Sequence, residues 1–309
     1  MIKKAVLGMM ALSVLAISCD DEDDNGMPSE TNANLTLNLS GLENLGDNFR
    51  YEGWILVEGQ DGPVSTGIFS VDDEGNLSQT QFPVNSVALA AANAFVLSIE
   101  PFPDSDPAPA ATKYLRADFG EGDSARVAEV GLGPVGGSFE NASGTFFLRA
   151  PTDEAPGSAN NGNDQYGVWF GNPGMPPTPA LTLPTLNEGW VYEGWVVTEN
   201  GPLSTGTFTE FDVRDNNAMS QGEDRFSETA FDGPPIPGED FFINAPDGFE
   251  FPLDIRGKKI VISVEPSPDN SPMPFTLKPL MGDAGQDTAP ATYDLQGSTA
   301  SFPTGTISR

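Results

Sequence analysis

The chain has 309 residues, 34 Gly and 28 Pro, 45 acidic against 14 basic side chains, one Cys and no His, for a net charge of −31. That much Gly and Pro excludes a helical fold, and the charge excludes nucleic acid as a partner because little is present to displace counterions from phosphate. Without His there is no Ser-His or Cys-His pair and no imidazole metal ligand, and the single Cys cannot close an internal disulfide.

The amino terminus, Met1-Ile2-Lys3-Lys4, is positive and precedes an apolar run over residues 5–17 that is too short to span a bilayer as a helix. The run closes Leu15-Ala16-Ile17-Ser18-Cys19 and resembles a bacterial lipobox, which implies a lipoprotein signal peptide over 1–18 and acylation of Cys19. Here Ala16 holds the place that such boxes usually give to Leu. An ordinary signal peptide with an incidental cysteine is the other reading. Asp20-Asp21-Glu22-Asp23-Asp24 and the small polar residues behind it cannot pack, so 19–33 is expected to be an acidic flexible tether. The expected address is the cell envelope, lipid-anchored on the outer membrane or cell surface, with the periplasmic face as the alternative.

Beyond the tether the chain contains one strand pattern twice. Tyr51-Glu52-Gly53-Trp54-Ile55-Leu56-Val57 returns as Tyr192-Glu193-Gly194-Trp195-Val196-Val197-Thr198. Gly62-Pro63-Val64-Ser65-Thr66-Gly67-Ile68-Phe69 returns as Gly201-Pro202-Leu203-Ser204-Thr205-Gly206-Thr207-Phe208, and Ser98-Ile99-Glu100-Pro101 as Ser263-Val264-Glu265-Pro266. Three blocks in the same order indicate a duplicated domain. The expected fold is all-β: two tandem antiparallel β-sandwich domains, 34–160 and 161–309, after the signal peptide and tether.

In the first copy, 35–39 alternates as a half-buried strand and 51–57 carries large apolar groups on both faces, as a central strand does. Residues 66–71 and 77–82 read as a hairpin across Asp72-Asp73-Glu74-Gly75-Asn76, with Gly75 free to take a positive φ. An Ala-rich helical turn at 87–92 leads to a strand at 95–100 and an exit held extended by Pro101, Pro103, Pro107 and Pro109. Strands follow at 114–119 and 142–148, then an interdomain linker at 153–165 and a short strand at 167–170 that belongs to neither copy on sequence alone. In the second copy Leu181-Thr182-Leu183 is matched to Leu35-Thr36-Leu37. A hairpin spans 207–231, a Phe-rich insertion occupies 241–253, a strand 258–265, and closing strands 291–295 and 300–302.

The ordered blocks Tyr-x-x-Trp, Gly-Pro-Val/Leu-Ser-Thr-Gly-x-Phe and Ser-Ile/Val-Glu-Pro resemble the extracytoplasmic C-terminal domain of anti-sigma-K factors over most of 35–309. The resemblance implies a lipid-anchored binding or structural module outside the cytoplasm, without the sigma-binding part and with no catalytic residues. It also admits an accessory sensor that regulates an anti-sigma/sigma system through an envelope protein partner; a surface carbohydrate- or calcium-binding protein is the third reading. Trp54 and Trp195 are either stacking platforms for a ligand or, as strand aromatics usually are, packing. Glu100 and Glu265 are either functional carboxylates or polar strand ends held extended by the following proline. The acidic groups around Asp72 and Asp73, and around Asp212, Asp215, Glu223 and Asp224, offer the hard oxygens that Ca²⁺ takes, though without a calcium-loop spacing. No other cofactor and no enzymatic activity is expected, and the expected partners are the membrane through the anchor and a protein of the envelope.

Overall fold

The computed structural model describes residues 31–120, 127–154, 161–216, 226–227, 233–268 and 271–309. The leader, Cys19 and nearly all of the tether lie outside the described residues, as do Glu223 and Asp224. The chain runs through β1 (Asn32–Ser40), β2 (Phe49–Val57), β3 (Val64–Phe69), β4 (Gln81–Asn85), α1 (Ser86–Ala91), β5 (Ala92–Pro101), β6 (Lys113–Asp118), β7 (Val127–Glu129) and β8 (Ser143–Leu148). It continues through β9 (Gly167–Trp169), β10 (Gly171–Asn172), β11 (Thr178–Pro179), β12 (Leu181–Thr182), β13 (Trp190–Thr198) and β14 (Gly201–Phe208). The last strands are β15 (Gly238–Asp240), β16 (Lys259–Pro266), β17 (Leu280–Asp283), β18 (Tyr293–Gly297) and β19 (Thr304–Ser308). The fold is all-β, with antiparallel sheets throughout the described residues.

The duplicated blocks build the same sheet twice. In the first copy the order is β3-β2-β5-β6; in the second, β14-β13-β16-β17. Each Tyr-Glu-Gly-Trp strand is central, and its register against the following strand shifts at the same place, between Gly53 and Trp54 and between Gly194 and Trp195. Glycine is required there by close approach. A Cβ on Gly53 would lie 2.5 Å from Thr66 Oγ1 and 2.8 Å from Phe95 Cε2, and one on Gly194 would lie 2.3 Å from Thr205 Oγ1 and 2.5 Å from Phe170 Cε2. The ring over Gly194 comes from the end of β9, which settles where the unassigned strand goes: β9 hydrogen-bonds to β8 of the first copy and β15 of the second, and Phe170 packs in the second copy.

The boundary at 160/161 does not divide the molecule into two bodies. Residues 32–309 form one compact unit because the copies exchange their last strands. Ser143-Gly144-Thr145-Phe146 in β8 and Thr304-Gly305-Thr306-Ile307 in β19 occupy equivalent places, yet β19 pairs with β1 and β7 of the first copy while β8 pairs with β12 and β18 of the second. A single aromatic column crosses the same junction. Tyr51 stacks at 6.3 Å on Tyr114, and Tyr114 meets Trp190 and Phe275 at 5.5 Å each. Burying such rings contributes about 2 kcal/mol or more apiece, so the copies share one core instead of closing two.

Three further expectations change. Residues 66–71 and 77–82 do not form a hairpin: β3 lies on β2, and β4 crosses to β1 in the other sheet, leaving one bridge between Val71 and Leu77. The backbone of β4 pairs with β1, while the Phe82 ring still packs on Phe69 of β3 at 5.9 Å. Among the described residues of 153–165, Glu154 and Asp164 are buried while Asn161 and Gly162 are exposed, so the stretch is not an exposed linker at its two ends. In sheet pairing Leu181 corresponds to Leu39 and not Leu35, because each faces the Gly of the exchanged strand, Gly144 and Gly305. A shift of four residues keeps every side chain on its own face, so strand period alone does not reveal it. The Asp72–Asn76 turn and α1 stand as read, with Gly75 at φ 83° and Asn85 capping Val87 and Ala88.

Candidate functional site: twin Trp-Ser-Glu relays and the cavity between the copies

Strand period places Trp54 on the same face of its sheet as Ser98 and Glu100 of the neighbouring β5. Trp54 Nε1 donates to Ser98 Oγ at 2.8 Å, Ser98 Oγ donates to Glu100 Oε1, and Glu100 accepts the Ala110 amide at 2.9 and 3.1 Å. The second copy repeats it: Trp195 Nε1 donates to Ser263 Oγ at 2.7 Å, Ser263 to Glu265 Oε1, and the Phe275 amide to Glu265 Oε1 at 2.9 Å. Each Glu therefore reaches the amide ten residues ahead, across the proline-rich exit. A lysine holds the carbonyl of that same residue, Lys113 Nζ to Ala110 O at 3.1 Å and Lys278 Nζ to Phe275 O at 2.7 Å. Prolines donate no hydrogen bonds, so the exits have few ladder contacts of their own, and this Glu-Lys clamp fixes where they land.

The relays are interior chemistry. Trp54 and Trp195 are 2% and 1% exposed, so neither presents a face for a ligand to stack on. Burial pushes the Glu100 carboxyl up, with its Ser98 and Ala110 hydrogen bonds pulling it back. Burial lowers Lys278, and Glu43 and Glu265 oppose that. Beside each relay a second carboxylate takes a serine from the neighbouring strand, Ser65 on Glu52 and Ser204 on Glu193.

Where the two clamps approach one another lies a cavity of about 340 Å³. Its walls come from both copies: the loop from Glu43 to Phe49, Ile99 and Pro101 on one side, Glu265, Pro266 and Phe275 on the other. The loop is tied across the junction by the Thr276 amide on Glu43 Oε2 at 2.7 Å. Carboxylates of Glu43, Asp47 and Glu265 border it and no Lys or Arg is among the described residues that line it, so it suits a neutral or cationic ligand with an apolar body. Of the residues singled out from sequence, Glu265 alone reaches this cavity.

Among the described residues, the acidic groups read as metal ligands do not come together. Asp72 closes its own turn, accepting from the amides of Glu74 and Asn76 and from Asn76 Nδ2 at 2.7–3.1 Å, bonds that hold its carboxyl below the usual range. Asp73 accepts from Asn44, Asp212 is exposed, and Asp215 accepts the Gly238 amide at 2.8 Å. Among the described residues no three His, Cys, Asp or Glu side chains are grouped for a metal ion.

Sequence reasoning missed the serines and lysines of the clamps; the signal was present, since the Glu-to-Lys spacing is the same in both copies. It also missed a third buried tryptophan with an acid partner. Trp169 Nε1 donates to Asp240 Oδ1 at 2.8 Å, while Thr152 donates its amide and hydroxyl to Asp240 Oδ2 at 2.8 and 2.7 Å. Burial pushes Asp240 up to about 7 and the adjoining Glu239, which accepts from Ser227, well above its ordinary value. The clue was Glu239-Asp240 set directly against Phe241-Phe242.

Comparison with protein-family models, curated proteins and solved structures gives no match. Among the described residues no helix is long and apolar enough to cross a membrane.

Proposed function

We propose that this chain is a lipid-anchored extracytoplasmic binding and structural module, of the general type of the C-terminal domain of anti-sigma-K factors, and that it acts without catalysis. The observation that carries this reading is the cavity between the copies, whose rims are the two clamped proline-rich exits. A site held by rigid elements on both sides binds with little ordering cost, because its walls are set before the ligand arrives. Its acid groups serve as acceptors toward the ligand or the backbone, and the chain holds no histidine to move a proton at neutral pH. The lipobox-like segment ending at Cys19 supports anchoring, and the acidic tether supports a body held clear of the bilayer.

Two measurements test this. Cys19→Ser should move the protein from the membrane fraction to the soluble fraction, and retention in the membrane would remove the anchor. A thermal-shift screen of small amines and neutral amphiphiles should give hits in the parent that vanish in Ala111→Trp, which fills the cavity from its exposed rim. Hits that persist in that variant would place binding elsewhere.

A further inference from the structure

The segment that joins the copies holds unassigned chemistry of its own. Glu154 is 5% exposed at its side chain; Oε2 meets Arg149 Nη2 at 2.7 Å, and Oε1 has no hydrogen-bond partner. Asp153 Oδ1 and Asn163 Oδ1 are also buried oxygens without a partner. The other Asp153 oxygen accepts from Asn161 Nδ2 at 3.0 Å and from Asn163 Nδ2, so the two Asn residues fold back onto Asp153, with Gly162 at φ 93° making the reversal. Asp164 stands alongside. It is buried, accepts the Ala150 amide at 3.3 Å, and is raised by burial, with Glu154 and Asp153 adding and Arg149 opposing.

Buried polar oxygens are nearly always satisfied, and leaving one bare costs about 1–3 kcal/mol, more when it carries charge. Three at positions 153, 154 and 163, with Arg149 paired to the other Glu154 oxygen, call for a further cation. All three donors are hard oxygens on carboxylates or a carboxamide, the set Ca²⁺ takes; Mg²⁺ keeps several waters and fits a buried segment less well. The Asp72 turn, by contrast, has already spent its oxygens on its own amides.

We propose that Asp153, Glu154 and Asn163 bind one calcium ion through these three oxygens, with main-chain carbonyls or water completing the shell. Only two of these donors are carboxylates, and the Asn163 amide oxygen brings the set to three. The ion would fasten the junction between β8 and β9, where the chain passes from one copy to the other.

The test is calorimetric titration of CaCl₂ into the full chain after chelator treatment, paired with melting curves. The expected result is one ion bound per chain and a rise in midpoint of about 5 °C at saturating Ca²⁺, with a much smaller response to Mg²⁺. Asp153→Asn and Glu154→Gln each remove a charge at constant volume and should weaken binding about tenfold or more, whereas Asp72→Asn should leave it unchanged. Should either variant fail to fold, Asn163→Ala takes its place, since that side chain is only half-buried. No heat and no shift in the parent chain, or a response lost with Asp72→Asn and kept with Asp153→Asn, would overturn the site.

Discussion

At the scale of single residues, two kinds of position carry the most weight. Gly53 and Gly194 sit where a threonine hydroxyl and a phenyl ring both close on the missing Cβ, and backbone and ring cannot both retreat. Gly53→Ala and Gly194→Ala should each cost about 1–3 kcal/mol in urea unfolding, while Gly133→Ala, with nothing nearby, should stay within about 0.5 kcal/mol. Equal effects at all three would contradict the close-approach account. Asp240 is the second kind. Burial raises its carboxyl to about 7 and pushes that of Glu239 well above its ordinary value, so the native state keeps protons that the unfolded chain has released. The sign follows: their contribution is fully present below about pH 4 and is lost as pH climbs towards 7, by about 4 kcal/mol for Asp240 alone. Urea curves at stepped pH should show stability falling across that interval, and Asp240→Asn should flatten the slope. A rise over the same interval in the parent would refute the assignment.

At the scale of elements, the recurring device is a strand fixed at its end by a partner from elsewhere. The proline-rich exits cannot join a ladder, so Glu100 with Lys113, and Glu265 with Lys278, grip the residue where each exit rejoins the sheet. The exchanged strands β8 and β19 apply the same logic across copies. Each supplies the pairing edges that the opposite copy lacks, so an isolated copy keeps its four-strand sheet but loses the partners of β1 and β7, or of β12 and β18. Residues 32–160 and 161–309 expressed separately should therefore lack a cooperative transition, and mixing the two should restore one near that of the intact chain. A sharp, independent transition in either half would show that the exchange is dispensable.

At the scale of the whole molecule, the chain carries a net charge of −31 around a main core shared by both copies, and the cavity and the Asp153 segment both lie where the copies join. The sequence by itself determined the all-β class, the doubled module, the central place of the Tyr-Glu-Gly-Trp strand and the turn at Asp72–Asn76. Each of these follows from local steric rules: period two, glycine where φ is positive, and too many prolines for helix. It also carried Trp54, Trp195, Glu100 and Glu265 as a repeated set, because duplication prints the same residues twice. Tertiary structure decided the rest. Which copy β19 joins, that β4 leaves β3 for β1, that Glu154 and Asp164 are buried, and that Asp240 lies under Trp169 all depend on contacts between residues far apart in the chain. Strand period fixes which face a side chain takes but not which edge its backbone meets, so partner choice is settled only when all the edges compete at once for the same hydrogen bonds and the same core.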